Sequence, residues 1–117
     1  QYNLVRPITY IRDVMGQSSW TSYLTTPAHP EYISAHANLS AAAAAVLEKL
    51  FGPVGQITDR TYDYLGFAPR TYTSFSAIAE EAAQSRLYAG IHYTISIQAG
   101  LTQGRKVAAN ILSGYKN

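Results

Sequence analysis

The sequence predicts an all-α fold with a helical bundle core. Three observations lead there. Ala41 to Ala45 form a run of the best helix-forming residue, and Gly52-Pro53 stops it. Residues 74–89 open on Ser74 and break at Gly90. In residues 95–112, Ile97, Leu101, Gly104, Ala108 and Ile111 recur as one helical stripe, which Gly114 ends.

Taken in order, residues 1–16 read as a helix or helix end interrupted by Pro7, with Gly16 as the stop. Residues 17–33 are rich in Ser, Thr and Pro and read as a loop. Residues 34–51 read as the first long helix. Ser34 or Asn38 can cap it, because a short polar side chain accepts from an unpaired N–H of the first turn. Val46, Leu47, Leu50 and Phe51 follow helical spacing and are expected to face the core. Residues 53–73 scatter Pro, Gly, Thr, Tyr and Asp and read as irregular, with room for a short strand. The segment 74–89 is the second helix and 95–112 the third. Gly104, having no side chain, allows close helix contact there.

The 117 residues suffice for one domain with one core, read here as a single helical domain over 1–117. The chain opens on Gln with no signal-like segment, so it is expected to start inside a longer protein and to be part of a larger helical domain. Hydrophobic residues make up 47% and charged residues 14%, which suggests a surface largely covered by the rest of a longer chain or by an oligomer partner. A net charge of +2 is too small to argue for nucleic acid, and no basic run interleaves the 10 tyrosines. The absence of cysteine excludes a disulfide scaffold, a zinc–cysteine site and a thiol nucleophile. The longest apolar run, Ala41 to Leu47, falls far short of the roughly 20 residues that a membrane span needs.

Against this low charge, one set of residues stands out. Ser34-Ala35-His36 comes where loop becomes helix, and a helix N-terminus offers unpaired N–H groups and about half a positive charge. Ala35 is small enough to let an anion approach the backbone, and Ser34 can add a hydroxyl donor. Arg86 and His92 lie on different faces of a continuous helix and converge only if Gly90 breaks it. An arginine fork matches a tetrahedral oxyanion, and a nearby histidine can serve as nucleophile or ligand. Each piece also has an ordinary reading. Ser34 can be a plain cap, His36 a surface histidine, Arg86 a helix-end arginine and His92 a core histidine. Arg6 before Pro7 says little alone, and His29 reads as a loop residue. Glu80-Glu81 reads as a solvated face or an arginine partner, and Asp59 and Asp63 as turn residues. No spacing suits zinc or calcium.

In order along the chain, these segments resemble the superfamily that joins vanadium-dependent haloperoxidases and type-2 phosphatidic acid phosphatases. Its pattern has three parts: Lys, six residues, Arg-Pro; then Pro-Ser-Gly-His; then Ser-Arg, five residues, His, three residues, Asp. Arg6-Pro7, Ile33-Ser34-Ala35-His36 and Ser85-Arg86 with His92 match in sequence order. Flanks such as Arg6-Pro7-Ile8-Thr9, Pro30-Glu31-Tyr32 and Tyr88-Ala89-Gly90-Ile91-His92 are similar to the soluble haloperoxidase branch.

The resemblance implies roles. Arg6, Ser34, the Ala35 backbone and Arg86 would hold the oxygens of a vanadate cofactor. His92 would bond vanadium, and His36 would act as acid or base. Hydrogen peroxide would then oxidise a halide while vanadium stays oxidised as a Lewis acid. The pattern's lysine would fall upstream of Gln1, Ile33 and Ala35 replace Pro and Gly, and Ser96 stands where the pattern has Asp. That Asp polarises the histidine, and serine carries no charge to do so. Two other functions stay open. One is a soluble acid phosphatase acting on a phosphate ester, in which His92 attacks phosphorus through a phosphohistidine intermediate. The other is a degenerate, non-catalytic homologue. The resemblance also favours periplasmic or secreted placement.

Overall fold

The computed structural model describes residues 3–114. Four α-helices and a small two-stranded ribbon follow in order: α1 (Pro7–Thr9), continued by a π-helical turn (Tyr10–Val14), α2 (Ala35–Phe51), β1 (Ile57–Asp59), a 3-10 turn (Asp63–Leu65), β2 (Arg70–Tyr72), α3 (Phe75–Tyr88) and α4 (Thr94–Gly114). The architecture is the expected helical one. Helix α2 packs against both α3 and α4.

Local chemistry accounts for most boundaries. Pro7 starts α1 rather than interrupting a helix, because a proline at the first helical position gives up an N–H that has no intrahelical acceptor. Residues 1 and 2 of the expected first helix lie outside the described residues. Ser34, not Asn38, caps α2, and Ser74 caps α3; each side chain accepts from the N–H three residues on. Glu48 adds a tie between helices by accepting the Ser76 N–H at 2.9 Å, which sets a carboxylate on the positive end of α3. Gly90, at φ +73°, terminates the segment after α3 in a conformation that other residues adopt only with strain.

Residues 53–73, expected to be irregular, contain an antiparallel ribbon pairing Ile57 with Tyr72 and Asp59 with Arg70. Asp59 accepts from the backbone and hydroxyl of Thr61 in the turn, and Arg60 pairs with Asp63. Glu80 pairs with Arg105 and Glu81 with Arg70, both near the surface.

Alanines supply most of the core, with a few larger apolar residues. Ala37, Ala41, Ala83, Ile97 and Leu101 form its centre. The expectation that Leu50 and Phe51 face the core is corrected: they are 66% and 68% exposed, and Val46 and Leu47 are only half-buried. Helix α2 instead turns its alanine face to α4, where Gly100 and Gly104 bring the two backbones together. Larger side chains on that face would not fit. Phe51 meets Phe75 with ring centroids 6.5 Å apart. On α4, Ile97, Leu101, Gly104 and Ala108 are buried as the stripe predicts, but Ile111 is 53% exposed, since the packed stretch ends a turn earlier. Among the described residues no helix is long and apolar enough to cross a membrane.

Candidate active site

Three places in the fold meet at one cluster: the N-cap of α1, the N-terminus of α2 with the loop before it, and the junction of α3 and α4. Arg6 links them. Its Nη1 donates to the Ile91 carbonyl at 2.7 Å and lies 3.2 Å from His92 Nε2. Its Nη2 donates to the carbonyls of His29 at 2.7 Å and Pro30 at 3.3 Å, and lies 3.2 Å from His29 Nδ1. One guanidinium thus holds the 29–30 loop against the α3–α4 junction. The sequence reading leaves His29 as a loop residue; it is one, and it also completes this clasp.

Arg86 stands in the last turn of α3. Beyond it the helix breaks, and the Arg86 carbonyl accepts the N–H groups of both Ile91 and His92 at 3.3 Å. The break brings His92 back to the end of the helix that carries Arg86. Gly90 makes this path possible. Its backbone lies against Trp20, where an added Cβ would stand 2.9 Å from the indole ring.

Ser34 is fully buried, with its Oγ accepting the Ala37 N–H at 3.5 Å and its own N–H donating to the Ser96 carbonyl at 3.1 Å. The α2 N-terminus is therefore locked to the first turn of α4. Ala35 and His36 open the helix, and their N–H groups belong to the first turn, which lacks intrahelical acceptors. His36 is exposed.

His92 is only 2% exposed, and its Nδ1 lies 3.1 Å from Oε1 of Glu31, itself 2% exposed. Tyr93 donates its N–H to the same oxygen at 3.0 Å, and the Ser96 hydroxyl donates to Oε2. Glu31 is absent from the sequence-derived site. Its sequence signals were the Pro30-Glu31-Tyr32 flank, to which no role was attached, and Ser96 standing where the pattern has Asp.

The electrostatics of the cluster favour an anion. Burial lowers the pKa of Arg6, and the like charge of Arg86 lowers it further, while Glu31 partly offsets both. Burial also lowers Arg86. His36 is pushed below the ordinary imidazole range by burial, then by Arg86 and His29. His92 is pushed down by burial and by Arg6, with Glu31 opposing. The buried Nε atoms of Arg6 and Arg86 have no hydrogen-bond partner. Repelling cations with spare donors beside a helix N-terminus suit a tetrahedral oxyanion. A separate hollow of about 610 Å³, lined by Tyr62, Leu65, Phe67 and Arg70 among others, shares no residue with this cluster.

Comparison with known proteins shows the family of this fold. The family model described as the VCPO second helical-bundle domain matches residues 1–117. A bacterial vanadium-dependent iodoperoxidase of known structure superposes with a TM-score of 0.89 at 39% identity, over 97% of this chain and 28% of that one. The holo and apo forms of a bacterial vanadium-dependent chloroperoxidase each superpose with a TM-score of 0.75 at 22% identity, over 90% of this chain, and share the fold. The chain thus spans less than a third of the length of these relatives. No curated protein matches it in sequence. With the family model matching from end to end, the chain belongs to the vanadium-dependent haloperoxidases, as their second helical-bundle domain.

Proposed function

We propose that this domain holds the vanadate of a haloperoxidase that oxidises halide with hydrogen peroxide. The observation that carries the reading is the pair of guanidiniums, each with a buried and unpartnered Nε: Arg6, 3.2 Å from His92, and Arg86, close enough to press on the charge of Arg6 and His36. Orthovanadate fits this donor set in charge and shape. Arg6, Arg86 and the first-turn N–H groups at Ala35 and His36 would hold its oxygens, with the Ser34 hydroxyl hydrogen available as a further donor. His92 Nε2 would bond the metal. Bound vanadate supplies Lewis acidity that makes peroxide a better oxidant of halide.

The chain's own residues do the rest. Arg6 and Arg86 neutralise the anion and orient it through fixed forks. His36, exposed and kept mainly neutral near pH 7, can accept a proton from an incoming peroxide and return it at its ring nitrogen. Burial of His92 keeps water from competing at its nitrogen.

The test is vanadate-dependent bromination by the full chain, with peroxide, bromide and a chromogenic acceptor. Activity that disappears in His92→Ala supports the reading. Saturating vanadate giving no more bromination than that control overturns it.

A second reading, a phosphatase whose His92 attacks phosphorus, gains support from Glu31, since a buried carboxylate behind an imidazole is what a histidine nucleophile needs. Turnover of a simple phosphate ester that vanadate inhibits would favour it over the first.

A further inference from the structure

The family pattern carries its acid four residues after the last histidine, and this chain has Ser96 there. We infer that Glu31 is the positioning residue for His92, taking over from the loop before α2 the role that the pattern gives to an Asp on α4. The inference rests on the proposed vanadate site and specifies how its histidine is held.

The hydrogen-bond directions support this. A guanidinium only donates, so where Arg6 Nη1 meets His92 at 3.2 Å, Nε2 must be the acceptor. The proton of the neutral ring is then on Nδ1, which donates to Glu31 Oε1 at 3.1 Å. The other partners of the carboxylate, the Tyr93 N–H and the Ser96 hydroxyl, are donors too. Glu31 therefore faces three donors, the set that an acceptor-only carboxylate requires when buried. Its grip selects one tautomer of His92 and leaves the Nε2 lone pair toward Arg6 and the anion cluster.

Ser96 acquires a purpose in this arrangement. It is the third anchor of Glu31, and its replacement by Asp would put two carboxylates in hydrogen-bond contact inside the core. Like charges so close cannot both stay ionised. With acids at both 31 and 96, one of them would have to hold a proton, which disturbs the grip on His92.

The experiment has two arms. Nitrogen NMR of His92 in the vanadate-free full chain is expected to show the Nδ1–H tautomer; the Nε2–H tautomer would overturn the inference without any variant. Titration of orthovanadate is expected to show binding weakened about 10- to 100-fold in Glu31→Gln, in keeping with the loss of a carboxylate behind a metal-ligating histidine. Ser96→Asp alone should weaken binding as well, and Glu31→Gln with Ser96→Asp should recover most of the loss and the tautomer. Glu31→Gln binding as tightly as wild type, or a double variant worse than either single one, would overturn the inference. Failure of the wild-type chain to bind orthovanadate would count against the vanadate reading alone, and the tautomer would still decide this one.

Discussion

A Cβ placed on Gly100 would stand 2.6 Å from the carbonyl oxygen of Ser34. The backbone of α4 therefore presses directly on the first turn of α2, the turn that opens onto the candidate site. One turn further along, a Cβ on Gly104 would stand 2.1 Å from the Asn38 carbonyl oxygen. Packing of two helices and placement of the site are one contact in this molecule.

Gly104→Ala should accordingly destabilise the protein. Alanine gains about 1 kcal/mol of helix propensity over glycine. Overpacking costs about 1–3 kcal/mol, and the obstacle here is backbone oxygen, which cannot rotate away. Chemical denaturation should show a lower midpoint. An unchanged or higher midpoint would contradict so close an approach.

Gly90→Ala should affect both stability and binding. The φ of +73° costs a residue with a side chain about 1–2 kcal/mol, and the new methyl meets the Trp20 ring. Because this turn returns His92 to Arg86, orthovanadate affinity should fall along with the melting temperature. A loss of stability with unaltered affinity would mean that the turn does not set the position of the histidine.

Arg86→Met should trade binding for stability. The half-buried guanidinium has an unpartnered Nε and sits among other cations. Removing it should stabilise the ligand-free protein by on the order of 1 kcal/mol, the cost of a buried donor left without a partner. Orthovanadate affinity should drop about tenfold or more, matching the loss of a charge-assisted bond of roughly 1.5–3 kcal/mol. Calorimetry with and without the anion measures both changes. A variant less stable in both states would show Arg86 to be structural.

Stability of the ligand-free protein should fall with acidification through the imidazole range. His36 and His92 are both held below their ordinary pKa, His36 by burial and then by Arg86, His92 by burial against the opposing hydrogen bond of Glu31, with Arg6 adding to the fall. The unfolded chain then binds more protons than the folded one, so the contribution is fully present above about pH 6.5 and is lost as pH drops through the lowered values. His36→Gln should flatten part of that slope in thermal scans. A slope that is the same with and without His36 would assign the effect elsewhere.

Much of the fold was legible in the sequence because its signals are local. Ser34 and Ser74 cap helices by reaching N–H groups three residues away, and Gly90 breaks one through its own backbone. The ribbon at 57–59 and 70–72 was harder to see, since its pairing joins short segments across a turn. Leu50 and Phe51 had the spacing of core residues, yet spacing says only that they share a face with others, not that this face is covered.

For the candidate site, Arg6, Ser34, Ala35, His36, Arg86 and His92 all stand in three short motifs in order along the chain. Glu31 stood only in a flank and His29 only as a loop residue, and neither carried a role. The Glu31–His92 contact spans 61 positions, and the sequence near His92 reads as a site that has lost its acid. What the sequence by itself determined was where helices begin and end, which residues carry charge or can ligate, and that those residues come in a recurring order. Each of these depends on a few neighbouring positions. Only the tertiary structure decided that α2 buries its alanines rather than its leucines, because that follows from how closely Gly100 and Gly104 let α4 approach. It alone decided which carboxylate stands behind His92, because a hydrogen bond is set by distance in space and not by separation along the chain.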